Sequence, residues 1–192
     1  LRACAHWLRP DAARIDTRNV LLRSPLGLTR ITRIAPKRLR PGERLPVYIA
    51  LHGTSALGPD HPVLRVFMEG LAAAQCIVLM PEYRPWMELS LSTDDVDDTL
   101  RSAVGVALDD PVVDSSRIGL IGVSFATPQV LIAAGSPGLR EHVSHVVGFG
   151  GYHDFTPVLR YMLTGEDPSR EPRCAWARPH VDPYGRWVVA MN

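Results

Sequence analysis

The 192-residue chain lacks several features that would place it quickly. It has three cysteines, Cys4, Cys76 and Cys174, an odd and widely spaced set with no C-x-x-C pair, so neither a disulfide framework nor a zinc site is indicated. That sparse usage fits a cytoplasmic protein, and Cys76, just before an apolar run, reads as a small core residue. No apolar run approaches the ~18–20 residues that cross a bilayer, and no secretory signal pattern opens the sequence, which begins at Leu1. Lys37 is the only lysine among 21 basic residues, a bias that suggests a genome rich in G and C. Internal repeats and low-complexity segments are absent, which excludes solenoids and extended linkers.

What is present is ordinary for a globular domain: 46% hydrophobic and 21% charged residues, enough to bury a sizeable core. The net charge is +1, unevenly spread. Residues 1–44 carry 11 Lys or Arg against Asp11, Asp16 and Glu43. A basic arm can serve nucleic acid or anionic lipid, but it is read here as a solvated face, with no nucleic-acid partner expected.

Short continuous apolar runs at 47–51, 77–80, 118–123 and 143–149 read as buried strands. Residues 20–23 and 28–34, around a turn at Pro25–Gly27, read as an antiparallel edge, with Leu28, Arg30, Thr32 and Ile34 on one face. Helices fall between the strands. One starts near Asp60 and Pro62 with a stripe of Val63, Phe67 and Leu71 flanked by Leu64 and Met68. A second follows an imperfect capping box of Ser92 and Asp95 and repeats Val96, Leu100 and Val104. A third follows Ser124 and ends near Gly135. The alternation predicts an α/β class fold, a mostly parallel twisted sheet with helices on both faces. Residues 1–155 form the expected core. Residues 156–192, with Pro157, Pro168, Pro172, Pro179 and Pro183 and no clear strand, form the expected start of a cap or inserted helical segment.

The sharpest chemical signal is Gly122-Val123-Ser124-Phe125-Ala126 after an apolar strand and before a helix. This is G-x-S-x-G with Ala for the last glycine. A nucleophile on a tight strand-to-helix turn has a strained backbone and crowded neighbours, so small residues must flank it at two positions' distance. The turn lifts the hydroxyl out of the sheet and leaves the Phe125 N–H at a helix N-terminus, where it can stabilise an oxyanion. The bland alternative is a plain strand–helix turn with Ser124 as N-cap. A second oxyanion donor is needed from the loop after the 47–51 strand, and the Thr54 backbone is the candidate there. His52 in the same loop is read as a residue that fixes loop geometry.

With these motifs in place, the chain resembles the α/β-hydrolase family, in its esterase and dienelactone-hydrolase-like branches. The resemblance rests on LHGTSALG (51–58), MPEYRPW (80–86), DDPVVDSSRIGLIGVSFA (109–126) and VVGFGGYHDF (146–155), in the family's order over residues 28–155. DPYGRW (182–187) resembles a bacterial subgroup with a helical insertion after the sixth strand. The resemblance implies a carboxylesterase-type enzyme acting on a small-molecule ester, without cofactor or metal. Ser124 would be the nucleophile, the Thr54 and Phe125 N–H groups the oxyanion hole, and Arg84 and Asp114 structural. Thr54 stands where many relatives have glycine.

In this family the triad runs serine, acid, histidine, with the acid after the seventh strand and the histidine after the eighth. Six strands are read here, so both partners are expected beyond Asn192. Asp154, after the sixth strand, is an alternative acid, as in some lipases; His153, His142, His145 and His180 are not read as the base. The cluster Asp94, Asp95, Asp97 and Asp98 has helix-start spacing and is read as capping, not metal binding. Two other readings remain: a non-catalytic hydrolase-like binding domain, and a dinucleotide-binding protein, which Gly119-Leu120-Ile121-Gly122 disfavours by lacking G-x-G-x-x-G spacing.

Overall fold

The computed structural model describes residues 14–24, 27–165 and 183–192. Cys4, Cys174, His180, Pro25 and the prolines at 168, 172 and 179 lie outside them. Six strands form one sheet in the order β1-β2-β4-β3-β5-β6. They are β1 (Ile15–Ser24), β2 (Gly27–Pro36), β3 (Leu45–Leu51), β4 (Ile77–Pro81), β5 (Val113–Val123) and β6 (Val143–Phe149). The expected antiparallel edge is present: β1 pairs with β2 from Ile15↔Pro36 to Ser24↔Gly27, and β2 runs antiparallel to β4. The pairs β3–β4, β3–β5 and β5–β6 are parallel.

The central apolar runs are continuous because both faces of the sheet are covered there, whereas β6, expected as a buried strand, is largely exposed at the sheet edge among the described residues. On one face Val47, Ile49, Leu51, Ile118 and Leu120 pack against Leu100 and Val104 of α3 (Val96–Asp109) and Val130 of α4 (Ala126–Ala134). On the other, Ala50, Val78, Met80 and Ile121 pack against Leu64, Met68 and Ala72 of α1 (Pro62–Ala73). Fully burying side chains of this size contributes about 1.5–3 kcal/mol each against the cost of ordering the chain.

Several local expectations are corrected. The buried line of α1 is Leu64–Met68–Ala72, while Val63 is 73% exposed. Asp60 does not cap α1: the N-cap residue is His61, and the Asp60 carboxylate is taken by Arg30, which also binds Glu82. Nor does the Ser92/Asp95 capping box form, since Asp95 is the N-cap of α3 but its side chain caps nothing. The Ser92 hydroxyl instead donates to Asp94, at 3.0 Å. Strand β5 starts at Val113, five residues before its apolar part, because Leu45↔Val113 pairing extends it through the polar stretch Asp114–Arg117. A short helix, α2 (Arg84–Met87), follows β4 and buries Trp86 completely. Cys76 is half-buried rather than in the core.

After β6 come α5 (Phe155–Thr164) and α6 (Pro183–Ala190). Gly165 ends α5 in the left-handed region (φ 75°) and its N–H returns to the Tyr161 carbonyl. Among the described residues β6 pairs on one side only, and Phe149 at its end is 64% exposed. No helix of the described residues is long and apolar enough to cross a membrane.

Candidate active site

Ser124 sits between the end of β5 and the start of α4 with a φ of 55°, a left-handed conformation that non-glycine residues rarely adopt. The turn is held from three sides. The Ser124 N–H donates to the Phe149 carbonyl at 2.7 Å, locking the elbow to the end of β6. The Thr127 hydroxyl donates to the Gly122 carbonyl at 2.9 Å. Gly122 lies so close to α4 that a Cβ there would stand 2.7 Å from the Ala126 oxygen and 2.6 Å from Val130 Cγ2. Strain of this kind costs on the order of 1–3 kcal/mol and persists only where the surroundings over-determine it.

The loop after β3 meets this elbow. A Cβ on Gly53 would lie 3.1 Å from Ser124 Cβ and 3.5 Å from the Phe125 nitrogen. The next residue, Thr54, is therefore carried towards Ser124 by backbone packing, and it borders the same two cavities. Among the described residues neither the Thr54 N–H nor the Phe125 N–H has a hydrogen-bond partner, whereas Ser55 N–H is taken by the Trp86 carbonyl at 3.0 Å. Two free donors thus flank the one strained serine, the arrangement an oxyanion needs.

His52 is a fixed part of this loop. It is 2% exposed; its Nε2 accepts the Tyr83 N–H at 3.1 Å and its Nδ1 lies 2.7 Å from the Gly53 carbonyl. Because the Tyr83 amide can only donate, the ring proton resides on Nδ1 and the imidazole is neutral. Burial pushes its pKa down, with the Gly53 carbonyl and Glu82 opposing. Both nitrogens are engaged, so His52 positions the loop and has no lone pair left for Ser124.

Asp154 lies at the N-terminus of α5, where its carboxylate accepts the Thr156 N–H at 2.9 Å. Hydrogen bonding to Thr156, aided by the charge of His153, holds its pKa below the ordinary carboxylate value. No hydrogen bond joins Asp154 to an imidazole, nor Ser124 to one, among the described residues. His145 is on the α1 face of the sheet, edge-on to Tyr48 at 5.1 Å, away from the elbow. Arg84 donates to the Leu28 carbonyl at 3.2 Å, and Asp114 binds Ser116 and Arg117. Those bonds, Ser116 first, lower the Asp114 pKa to about 2. Asp97 pairs with Arg101 and Ser136, and no group of three or more His, Cys, Asp or Glu among the described residues is arranged to hold a metal ion.

Two cavities flank Ser124. One, of about 290 Å³, runs along α1 and is lined by Val63, Leu64, Phe67, Phe149 and His61. The other, of about 100 Å³, lies under α5 and α6 and is lined by Phe125, Tyr152, Phe155, Met162 and Val188. The Phe125 ring stacks edge-on against Trp86 at 5.3 Å and Phe155 at 5.6 Å, giving this wall a fixed shape. Tyr184 of α6 donates its hydroxyl to the Thr54 carbonyl at 2.7 Å. Sequence reasoning missed His61, the aromatic wall and Tyr184; the aromatics crowded into 83–86 and 149–155 were the available signal.

Family models and the curated proteins yield no match to this chain. Solved structures do. Esterase Est22 superposes with a TM-score of 0.63 at 21% identity, over 79% of this chain and 49% of its own. Brefeldin A esterase, a bacterial homologue of human hormone-sensitive lipase, gives 0.60 at 20% identity, over 72% and 40%. Oligopeptidase B from Trypanosoma brucei, with covalently bound antipain, gives 0.58 at 12% identity, over 76% and 22%. The chain thus spans less than half the length of each. With these likenesses, the strand order and the serine elbow between β5 and α4 as evidence, the chain has the α/β-hydrolase fold.

Proposed function

We propose that the protein is a serine hydrolase of the carboxylesterase type, with Ser124 as nucleophile and the Thr54 and Phe125 N–H groups as the oxyanion hole. The observation that carries this reading is the left-handed backbone of Ser124, at φ 55°, with Gly53 packed directly against it. Gln75 and Leu89 are also left-handed, but only Ser124 has this conformation on a strand-to-helix turn between two cavities, the setting in which such strain serves a nucleophile. The likeness to the esterases Est22 and brefeldin A esterase supports the ester class, while oligopeptidase B has a similar fold and is a peptidase.

In the mechanism, the Ser124 hydroxyl gives its proton to an imidazole base and its oxygen bonds to the ester carbonyl carbon. The carbonyl oxygen becomes an oxyanion between the Thr54 and Phe125 amides. The alcohol leaves with the proton from the base, and water then releases the acid and restores Ser124. The base and its acid partner are proposed to come from outside the described residues. Asp154 is the alternative acid, but its carboxylate already serves Thr156. In this reading α5 and α6 are the cap over the site.

The test is Ser124→Ala in the full-length protein. We expect p-nitrophenyl acetate hydrolysis to fall to the background rate, with the thermal transition retained. Undiminished turnover by the mutant rejects the assignment. A second reading, a hydrolase-like binding domain, draws on the absence of an imidazole bonded to Ser124 among the described residues. It predicts that wild type hydrolyses no ester and that a fluorophosphonate probe adds no mass at Ser124.

A further inference from the structure

Strand β2 turns one face toward α3, and Ile31, Arg33 and Ala35 share it by the two-residue period of a strand. Ile31 and Ala35 are core residues, and Arg33 between them is only 5% exposed. A guanidinium placed this deeply needs partners for its five N–H donors. Among the described residues it has one: Nε donates to Asp110, just past the end of α3, at 2.8 Å. The other Asp110 oxygen accepts the Val112 N–H at 3.2 Å. The Nη fork, the part of arginine that holds two oxygens at once, is left without a bonded acceptor.

Arg33 lines a cleft of about 640 Å³ at the end of the sheet where β3 and β5 begin, whereas Ser124 follows the other end of β5. Arg18, which lines the same cleft, stands directly opposite Arg33 in the β1–β2 register. Like charges so placed repel, and a sheet gains nothing from them alone. Lys37 adds a third cation, and neither its ammonium nor the Arg18 side chain has a hydrogen bond or ion pair among the described residues. The opposing carboxylates are Asp110, engaged as above, and Asp16 on the rim. Leu39, Pro111 and Val112 make the remaining wall apolar.

We propose that this cleft binds a small organic oxyanion, a phosphate monoester or a carboxylate, with its oxygens on the Arg33 fork and its charge shared by Arg18 and Lys37. An anion seated there satisfies the buried donors and relieves the Arg18–Arg33 repulsion. The apolar wall receives a ring or chain attached to it, since a bare inorganic ion fills little of a cleft this size. The ligand is not the substrate of Ser124, and the site stands whether or not the hydrolase reading does.

The experiment is calorimetric titration of the full-length protein with phenyl phosphate, benzoate, inorganic phosphate and, as the neutral control, benzyl alcohol. At least one of the two organic anions should bind one equivalent with a Kd of about 1 mM or lower at low salt. The tighter of the two identifies the anionic group. It should bind about five-fold or more tighter than inorganic phosphate, and benzyl alcohol should not saturate. Arg18→Ala and Lys37→Ala should each weaken binding by about three-fold or more, and Arg33→Lys by about ten-fold, because lysine keeps the charge beside Asp110 but has no fork. Arg18 and Lys37 are exposed, so their variants fold whatever Arg33→Lys does to stability. Three outcomes overturn the proposal: neither organic anion saturates the wild type, Arg18→Ala and Lys37→Ala leave the affinity unchanged, or inorganic phosphate binds as tightly as the organic anions.

Discussion

The Tyr184 hydroxyl donates to the Thr54 carbonyl at 2.7 Å, across 130 residues of sequence. The bond ties α6 to the loop that packs Gly53 against Ser124. The helix has other anchors: Arg186 donates to the Leu163 carbonyl at 2.6 Å, and Asn192 bridges Leu89 and Leu91 at 2.8 and 2.7 Å. Tyr184→Phe therefore leaves the helix docked and releases the Thr54 peptide. Loss of orientation at an oxyanion donor acts on the transition state, so kcat should fall about three- to ten-fold while KM stays within about two-fold. Steady-state kinetics on a short-chain ester check this; an unchanged kcat reduces the contact to mere covering.

Gly122 and Gly53 predict contrasting defects. A Cβ on Gly122 meets backbone, 2.7 Å from both the Ala126 oxygen and Thr127 Cα, and relief would require opening the elbow. Gly122→Ala should cost about 1–3 kcal/mol, read as a lowered thermal midpoint. A Cβ on Gly53 meets the Val123 oxygen at 3.0 Å and Ser124 Cβ at 3.1 Å, contacts that a few tenths of an ångström relieve. Gly53→Ala should spare most of the stability and depress kcat, because the displacement falls on the Thr54 donor. Equal thermal midpoints for the two variants would contradict this distinction.

The sheet was legible in the sequence because its central strands are buried on both faces, which turns residues 47–51 and 118–123 into unbroken apolar runs. The elbow was legible because steric crowding restricts it to small residues at Gly122 and Ala126. Capping was misread, because a side chain at the right spacing has competing partners. Asp60 goes to Arg30, a residue thirty positions away that no local pattern reveals. The start of β5 was hidden by its polar stretch, where pairing with β3 prevails over hydropathy. The cavity under α5 and α6 was invisible for a further reason: Leu91, Phe125, Tyr152, Met162 and Val188 come from separate segments, and only the fold joins them.

His52 gives the site a pH dependence whose sign follows from its neighbours. Burial, the largest influence, lowers its pKa below the ordinary imidazole value, about 6.5, and Nε2 must stay unprotonated to accept the Tyr83 N–H. The unfolded chain then binds a proton more readily than the folded one, so stability is complete above pH ~6.5 and declines as the pH falls below it. His52→Gln, which does not titrate, should be less stable at neutral pH and lack this part of the decline. Thermal midpoints of wild type and variant between pH 7.5 and 5.5 test it: parallel curves would show that His52 does not drive the loss.

Asp154→Asn separates a helix cap from a triad acid. Asn is as good an N-cap as Asp, and its side-chain oxygen can accept the Thr156 N–H, so the start of α5 should be preserved. The Asp154 pKa is lowered chiefly by Thr156, and that part of the stability is present above the unfolded carboxylate pKa and lost as the pH falls through the folded value. A cap replaced by Asn loses this acid-side dependence and nothing else. A triad acid replaced by Asn leaves the histidine in the wrong tautomer and drops kcat by about 10⁴-fold. We expect kcat within about two-fold of wild type, because the carboxylate is committed to Thr156 and no imidazole among the described residues is bonded to it. A collapse of kcat with α5 intact by hydrogen exchange would instead place the acid of the triad at Asp154.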